Sequence, residues 1–172
     1  MDESRRSVPR PVIWALAAIV IVLLALTGTL AGRRLAHRHG GAAGLSKAEQ
    51  AAVDAAKQET INIQTYRLKS FDADFAVAVA GLTQAKATEW QANKSTLQSN
   101  LASQKISSGA TVSGAGLVSF DGKDAVVVVS SDTQRIDATG KSTTAAQNRF
   151  QVTMKLVEGK WLMDDLQSVS LS

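Results

Sequence analysis

RFQVTMKLVEGKWLMDDL, residues 149–166, decides the fold. Its first half alternates strictly. Phe150, Val152, Met154 and Leu156 fall on one face, and Arg149, Gln151, Thr153 and Lys155 on the other. That period of two belongs to a strand with one face in a core and one in water. Glu158-Gly159-Lys160 then interrupts the pattern as a tight turn, and Trp161 to Leu166 resumes it as a last main strand.

Working back toward the N-terminus, more strand signals appear. Ala125 to Ser131 holds four consecutive valines, 126–129, so both faces of that strand are expected to be covered. Asp121-Gly122 is a hairpin turn signal. Before it, Thr111 to Phe120 is small and β-prone, with Gly114 and Gly116 inside. The polar run Asp132 to Thr144, including Gly140, reads as a loop. The C-terminal half is therefore expected to be an antiparallel meander of about four strands.

Upstream of Lys105 the period changes to that of helices. Ser46-Lys47-Ala48-Glu49 matches a capping box, in which Ser46 accepts from the Glu49 backbone and the Glu49 carboxylate reaches back. The spacing predicts a helix from there to about Tyr66, with Ala48, Ala52, Ala55, Ala56, Ile63 and Tyr66 inward. A second helix is predicted over Asp72 to Leu82, broken at Gly81 and Thr83. A third is predicted from Thr83 to Ser103, with Trp90, Leu97 and Leu101 on one core-facing stripe. Three helices followed by four antiparallel strands define an α+β domain over residues 46–172. The helices would pack on one face of a curved sheet, as in the cone-shaped nuclear transport factor 2 (NTF2) type.

Residues 12–32 read VIWALAAIVIVLLALTGTLAG without a charge. At about 1.5 Å per residue the run spans roughly 30 Å, the thickness of a hydrocarbon core. It is longer than the apolar core of a signal peptide and ends in Gly32-Arg33-Arg34, where cleavage favours small residues, so it reads as a retained anchor. The expected organisation is a tail at 1–11, a transmembrane helix at 12–32, a juxtamembrane linker at 33–45 ending in a Gly/Ala-rich stretch, and the domain.

Charge follows the same division. Up to Leu45 there are six arginines and two acids, while from Ser46 onward 13 basic residues balance 13 acidic ones. The formal +4 thus sits at the membrane flanks, among lipid head groups. The domain lacks a basic run interleaved with aromatics, which argues against nucleic acid as a partner. Arginines 5, 6 and 10 before the anchor match 33, 34 and 38 after it, so charge alone does not orient the chain.

The chain has no cysteine, and its two histidines, His37 and His39, lie in the linker. The domain therefore lacks the commonest general base and the best thiol nucleophile. His37 and His39 are read as interfacial polar residues rather than metal ligands. The remaining polar candidates are Tyr66, Arg67, Asp72, Asp74, Asp132, Arg135, Asp164 and Asp165. Asp72 and Asp74 could form an acid/base pair, but a place at a helix start favours capping and the helix dipole. Asp164 and Asp165 are adjacent on the last strand, so alternation sends one inward, to pair with Arg67 or another cation or to serve a site. Ser113-Gly114-Ala115-Gly116 lacks the following helix of a nucleotide loop, and neither G-x-S-x-G nor H-E-x-x-H occurs. No catalytic residue, cofactor or metal is expected.

Over residues 12–170 the chain resembles the Mce-associated membrane proteins of actinobacteria, which accompany Mce (mammalian cell entry) lipid-import systems. The resemblance rests on the anchor and Ala-rich helix, Tyr66 to Asp74 (YRLKSFDAD), Gly81-Leu82-Thr83, the valine strand, and Glu158 to Leu166 (EGKWLMDDL). It implies a cytoplasmic N-terminus, a domain outside the plasma membrane with a fold similar to the type IV secretion protein VirB8, and a non-catalytic accessory role. The implied partners are membrane lipid and Mce subunits. Tyr66, Arg67, Asp72, Asp74, Trp161, Asp164 and Asp165 become a structural or interaction motif, with no catalytic residue to carry over. Leu82-Thr83-Gln84 departs from the family's usual Thr-Gly turn. A lipid- or small-molecule-binding cone and an isomerase or dehydratase of the NTF2-like type are the competing readings.

Overall fold

A computed structural model describes residues 44–169. The expected tail, the anchor at 12–32 and the linker up to residue 43 lie outside the described residues. Among the described residues no helix is long and apolar enough to cross a membrane.

The helices are α1 (Lys47–Asn62), α2 (Phe71–Ala80), α3 (Gln84–Ala92) and α4 (Lys94–Gln104), with a short 3-10 turn at Leu68–Ser70. The strands are β1 (Ser107–Phe120), β2 (Asp124–Ile136), β3 (Ser142–Val157) and β4 (Lys160–Ser168). They form one antiparallel sheet in the order β1-β2-β3-β4, the expected meander. The fold is α+β, with the helices packed against the sheet.

The capping box starts α1: the Ser46 backbone N–H donates to Glu49 Oε2 at 2.8 Å, and the Glu49 N–H donates to Ser46 Oγ at 3.3 Å. α1 ends at Asn62, four residues before the expected end. There the Gln64 side-chain amide donates to the Thr60 carbonyl at 2.7 Å, satisfying one of the helix's last acceptors, and accepts from Thr133 of β2 at 2.9 Å. Tyr66 instead joins the sheet edge, exchanging two backbone hydrogen bonds of 2.9 Å with Ser108. α1 touches all four strands. Ala52 and Ala56 are fully buried, because their small side chains allow the backbone close to the sheet, while Ala48 is exposed and Val53 takes a core place.

The third expected helix is two. Asn93 separates α3 from α4, and its side chain donates to the Glu89 carbonyl at 3.0 Å, competing with the helix ladder. Trp90, Leu97 and Leu101 all pack on the core as expected.

Val127, Val129, Val152, Met154 and Met163 fill the centre of the sheet's inner face and share one buried core with Phe71, Phe75 and Ala78 of α2. Val126 and Val128 are only half-buried, contrary to the expectation of two covered faces. Their flanking residues are Ser119 and Thr153, and Gly116 and Gln151, so strand neighbours rather than a second layer shelter them. Leu156 is exposed although its alternation points inward; its cross-strand partner Trp161 is half-buried.

The expected loop over 132–144 is mostly strand, with the turn confined to residues 137–141. Asp137 Oδ1 accepts from the backbone of Thr139 and Lys141 at 2.8 and 3.1 Å, which closes the hairpin with polar residues that also pair well as strand. The β3–β4 turn has Glu158 and Gly159 at φ 50 and 81, the left-handed pair a two-residue hairpin needs. Register shifts leave Ser113, Val118, Ala145 and Asp164 without a cross-strand partner, and each such bulge bends its strand.

Candidate functional site

Of the residues singled out in the sequence, Asp132 and Arg135 lie apart on β2, and the others fall into two clusters, one beside β1 and one at β4. At the β1 edge, Asp74 sits in the first turn of α2, buried with 7% of its side chain exposed. It does not cap the helix. Its Oδ2 accepts from the Arg67 backbone N–H at 2.8 Å, from Arg67 Nε at 3.1 Å and from Ser70 Oγ at 3.2 Å, and its Oδ1 pairs with Arg67 Nη2. Hydrogen bonding from Arg67 holds the Asp74 carboxyl below its ordinary range. The neighbouring Tyr66 ring packs on Phe71 and Phe75, at centroid distances of 5.7 and 6.3 Å. Its hydroxyl accepts from Trp90 Nε1 at 3.0 Å, and burial raises its pKa. Asp72 points elsewhere, to an exposed pair with Lys94 at 2.7 Å, so the two aspartates form no acid/base dyad.

At the β4 edge, residues 81–83 run alongside the strand. Thr83 N–H donates to the Met163 carbonyl at 2.9 Å, and Met163 N–H donates to the Gly81 carbonyl at 2.8 Å. Asp164 is the bulged residue, so simple alternation does not assign its direction. It pairs with Lys155 at 2.9 Å and accepts from Thr83 Oγ1 at 3.0 Å, and hydrogen bonding from Lys155 lowers its pKa. Asp165 accepts from Gln167 at 2.8 Å and pairs with Lys86 of α3 at 3.1 Å; these hydrogen bonds lower its pKa in that order. Arg67 is therefore not the partner of either residue. Trp161 tilts against Phe120, with ring centroids 5.8 Å apart.

Sequence reading missed Glu59. Its carboxyl lies over Gly81 on a groove of about 470 Å³ between α1, α2 and the start of β4, and burial raises its pKa to about 7. Nothing in an exposed-looking helical Glu signals this; the only clue is the side-chain-free Gly81 across the groove. A second, largely apolar pocket of about 390 Å³ lies between α4 and the sheet, lined by Ile63, Tyr66, Leu97, Leu101 and Ile106. Among the described residues no group of three or more His, Cys, Asp or Glu side chains is placed to hold a metal ion.

The architecture is an α+β arrangement of helices on one antiparallel sheet of meander order. The chain is similar to an IcmL-like type IV secretion system protein from Legionella pneumophila, at TM-score 0.56 and 14% identity over 76% of this chain and 96% of that one. It is similar to the periplasmic domain of DotI, at TM-score 0.57 and 14% identity over 76% and 100%. It is also similar to CagV, a VirB8 homolog from Helicobacter pylori, at TM-score 0.52 and 9% identity over 72% and 97%. No curated relative matches. The chain belongs to the family described as "Uncharacterized protein Rv1363c/MT1408-like", whose profile matches residues 11–170.

Proposed function

We propose that this chain is a non-catalytic, membrane-anchored accessory protein that assembles or stabilises a cell-envelope lipid-import complex of the Mce type. Its anchor would be residues 12–32, with a cytoplasmic N-terminus and the domain outside the plasma membrane. One observation carries the non-catalytic part. Asp74, Asp164 and Asp165, three of the acids singled out in the sequence, are each committed to an ion pair that fastens one element to another. Carboxylates held ionised in this way serve poorly as general acids. The fold likeness to domains of secretion-system proteins supports a role within an envelope assembly. The specific link to lipid import rests on the sequence resemblance.

Native electrophoresis of detergent extracts tests the proposal. Deleting the chain is expected to deplete the assembled Mce complex, and the full-length chain to restore it. An unchanged complex in the deletion strain counts against an assembly role. The apolar pocket beside Leu97 and Leu101 favours a second reading, a lipid-binding module. Mass spectrometry of the purified chain would then find a bound lipid in stoichiometric amount, and an empty protein contradicts that reading.

A further inference from the structure

The inner face of β2 changes character along its length. Ala125, Val127 and Val129 are buried and apolar, Ser131 is buried and polar, Thr133 is half-buried, and Arg135 ends the series exposed. Ser131 and Thr133 are engaged by the Gln64 side chain, at 3.3 and 2.9 Å. Arg135 is not held in this way. Its Nη1 donates to Gln104 Oε1, at the end of α4, across 3.5 Å, the long limit for a hydrogen bond. That contact places it on the helix side of the sheet. Among the described residues it makes no ion pair. A guanidinium has five N–H donors, so the fold uses little of this one.

The cation stands on an apolar pocket. α4 packs chiefly on α3 and on the 3-10 turn. The space between α4 and the sheet, about 390 Å³, has Ile63, Tyr66, Leu97, Leu101 and Ile106 in its wall. Leu97 and Ile106 are half-buried, so the apolar wall is open to an entering chain. Arg135 is the one charged residue of the lining. Two hydroxyls of the lining are already committed: Ser107 Oγ accepts from the Leu68 N–H at 3.1 Å, and Ser108 Oγ donates to the Gln64 carbonyl at 2.6 Å. An apolar cavity with a single cation selects an apolar ligand with a single negative charge. A cationic head would be repelled. A phosphate monoester, with a charge of about −1.5 to −2, exceeds what one guanidinium balances. A carboxylate matches the planar fork in charge and in geometry.

We propose that this pocket binds a fatty acid, with its acyl chain along Leu97, Leu101 and Ile106 and its carboxylate on Arg135. The inference rests on the lipid-binding reading of the pocket and names the class of lipid: a single chain with a carboxylate head. Arg135 is the residue that sets the choice of head group, and the apolar wall accepts any single chain of suitable length.

The test is photolabelling of the full chain in phosphatidylcholine nanodiscs at about pH 8, where a carboxylic acid is ionised. The probes are a diazirine-bearing dodecanoic acid and the dodecanol with the same diazirine. Mass spectrometry reads labelling of residues 97–106, each probe being normalised to its labelling of the nanodisc lipid. The acid is expected to label this segment about tenfold more than the alcohol, the strength of a hydrogen bond to a charged group. In Arg135→Gln the acid should fall to the level of the alcohol, while labelling by the alcohol stays as it was and shows the pocket intact. Equal labelling by the two probes in the unaltered chain overturns the fatty-acid assignment and leaves the lipid-binding reading standing. A segment that neither probe labels overturns both. An acid preference that survives Arg135→Gln overturns the role of Arg135, and with it the proposal.

Discussion

The carboxylate of Asp74 takes three donations from Arg67, one from its backbone and two from its guanidinium, and so closes the 3-10 turn between them onto the first turn of α2. Ser70 adds a fourth donation from within that turn. The same segment delivers Tyr66 to the sheet edge, so one buried acid fixes where the chain leaves α1, meets β1 and re-enters a helix.

Asp74→Ala is expected to destabilise the domain by about 2–3 kcal/mol, because it removes a buried acceptor and leaves the Arg67 N–H unpaired. Urea unfolding followed by circular dichroism measures it. The Asp74 pKa is lowered on folding, so its contribution is fully present above the unfolded carboxyl pKa and is lost as pH falls through the lower folded value. The gap in stability between the unaltered chain and Asp74→Asn should therefore narrow below about pH 4.

Glu59 has the opposite sign. Its folded pKa is raised to about 7, so its stabilising contribution is complete below the unfolded value and is lost as pH rises through 7. Stability should fall by about 2 kcal/mol between pH 5 and pH 9 on account of this group, allowing for its partial access to solvent. In Glu59→Gln that slope should disappear, which thermal unfolding across the pH series reads directly.

Gly81→Ala probes the same contact from the other side. Gly81 has φ −95, which alanine accepts, and the clash is with the far end of a flexible side chain. The fold should survive with a loss of about 1 kcal/mol or less, while the Glu59 titration moves down toward an ordinary carboxyl value. Carboxyl NMR and thermal unfolding on one sample separate the two effects.

Tyr66→Phe deletes the hydroxyl that accepts from Trp90 Nε1. A loss of about 1 kcal/mol is expected from the orphaned indole N–H, with α3 loosened from the α1–β1 connection. Hydrogen exchange at α3 amides should quicken more than at β2 and β3.

Much of the fold was legible because its signals are local. The capping box, the Glu158-Gly159 turn and the alternation of residues 150–154 each depend on neighbours in sequence, and each appears in place. What escaped were features set by distant partners. Tyr66 sits at helical spacing from Ile63, yet Ser108 claims it for the sheet. Asp164 was to be assigned by alternation, and a bulge removed the alternation at that residue. The polar run 132–144 lacks the apolar period of a strand because much of it is exposed, not because it is a loop. Of the candidate site, pairing with a cation is what the sequence suggests for one of Asp164 and Asp165, and capping for Asp74; in the structure all three are paired, Arg67 with Asp74, Lys155 with Asp164 and Lys86 with Asp165. Glu59 was invisible because its character comes from Gly81, 22 residues away in sequence.

The central proposal is an accessory role in an envelope lipid-import assembly, and mild cross-linking of whole cells followed by purification of the full-length chain tests it most directly. Recovery of Mce subunits in cross-linked species with the chain is the expected result. A chain recovered alone, from cells in which the Mce subunits cross-link to one another, contradicts the proposal.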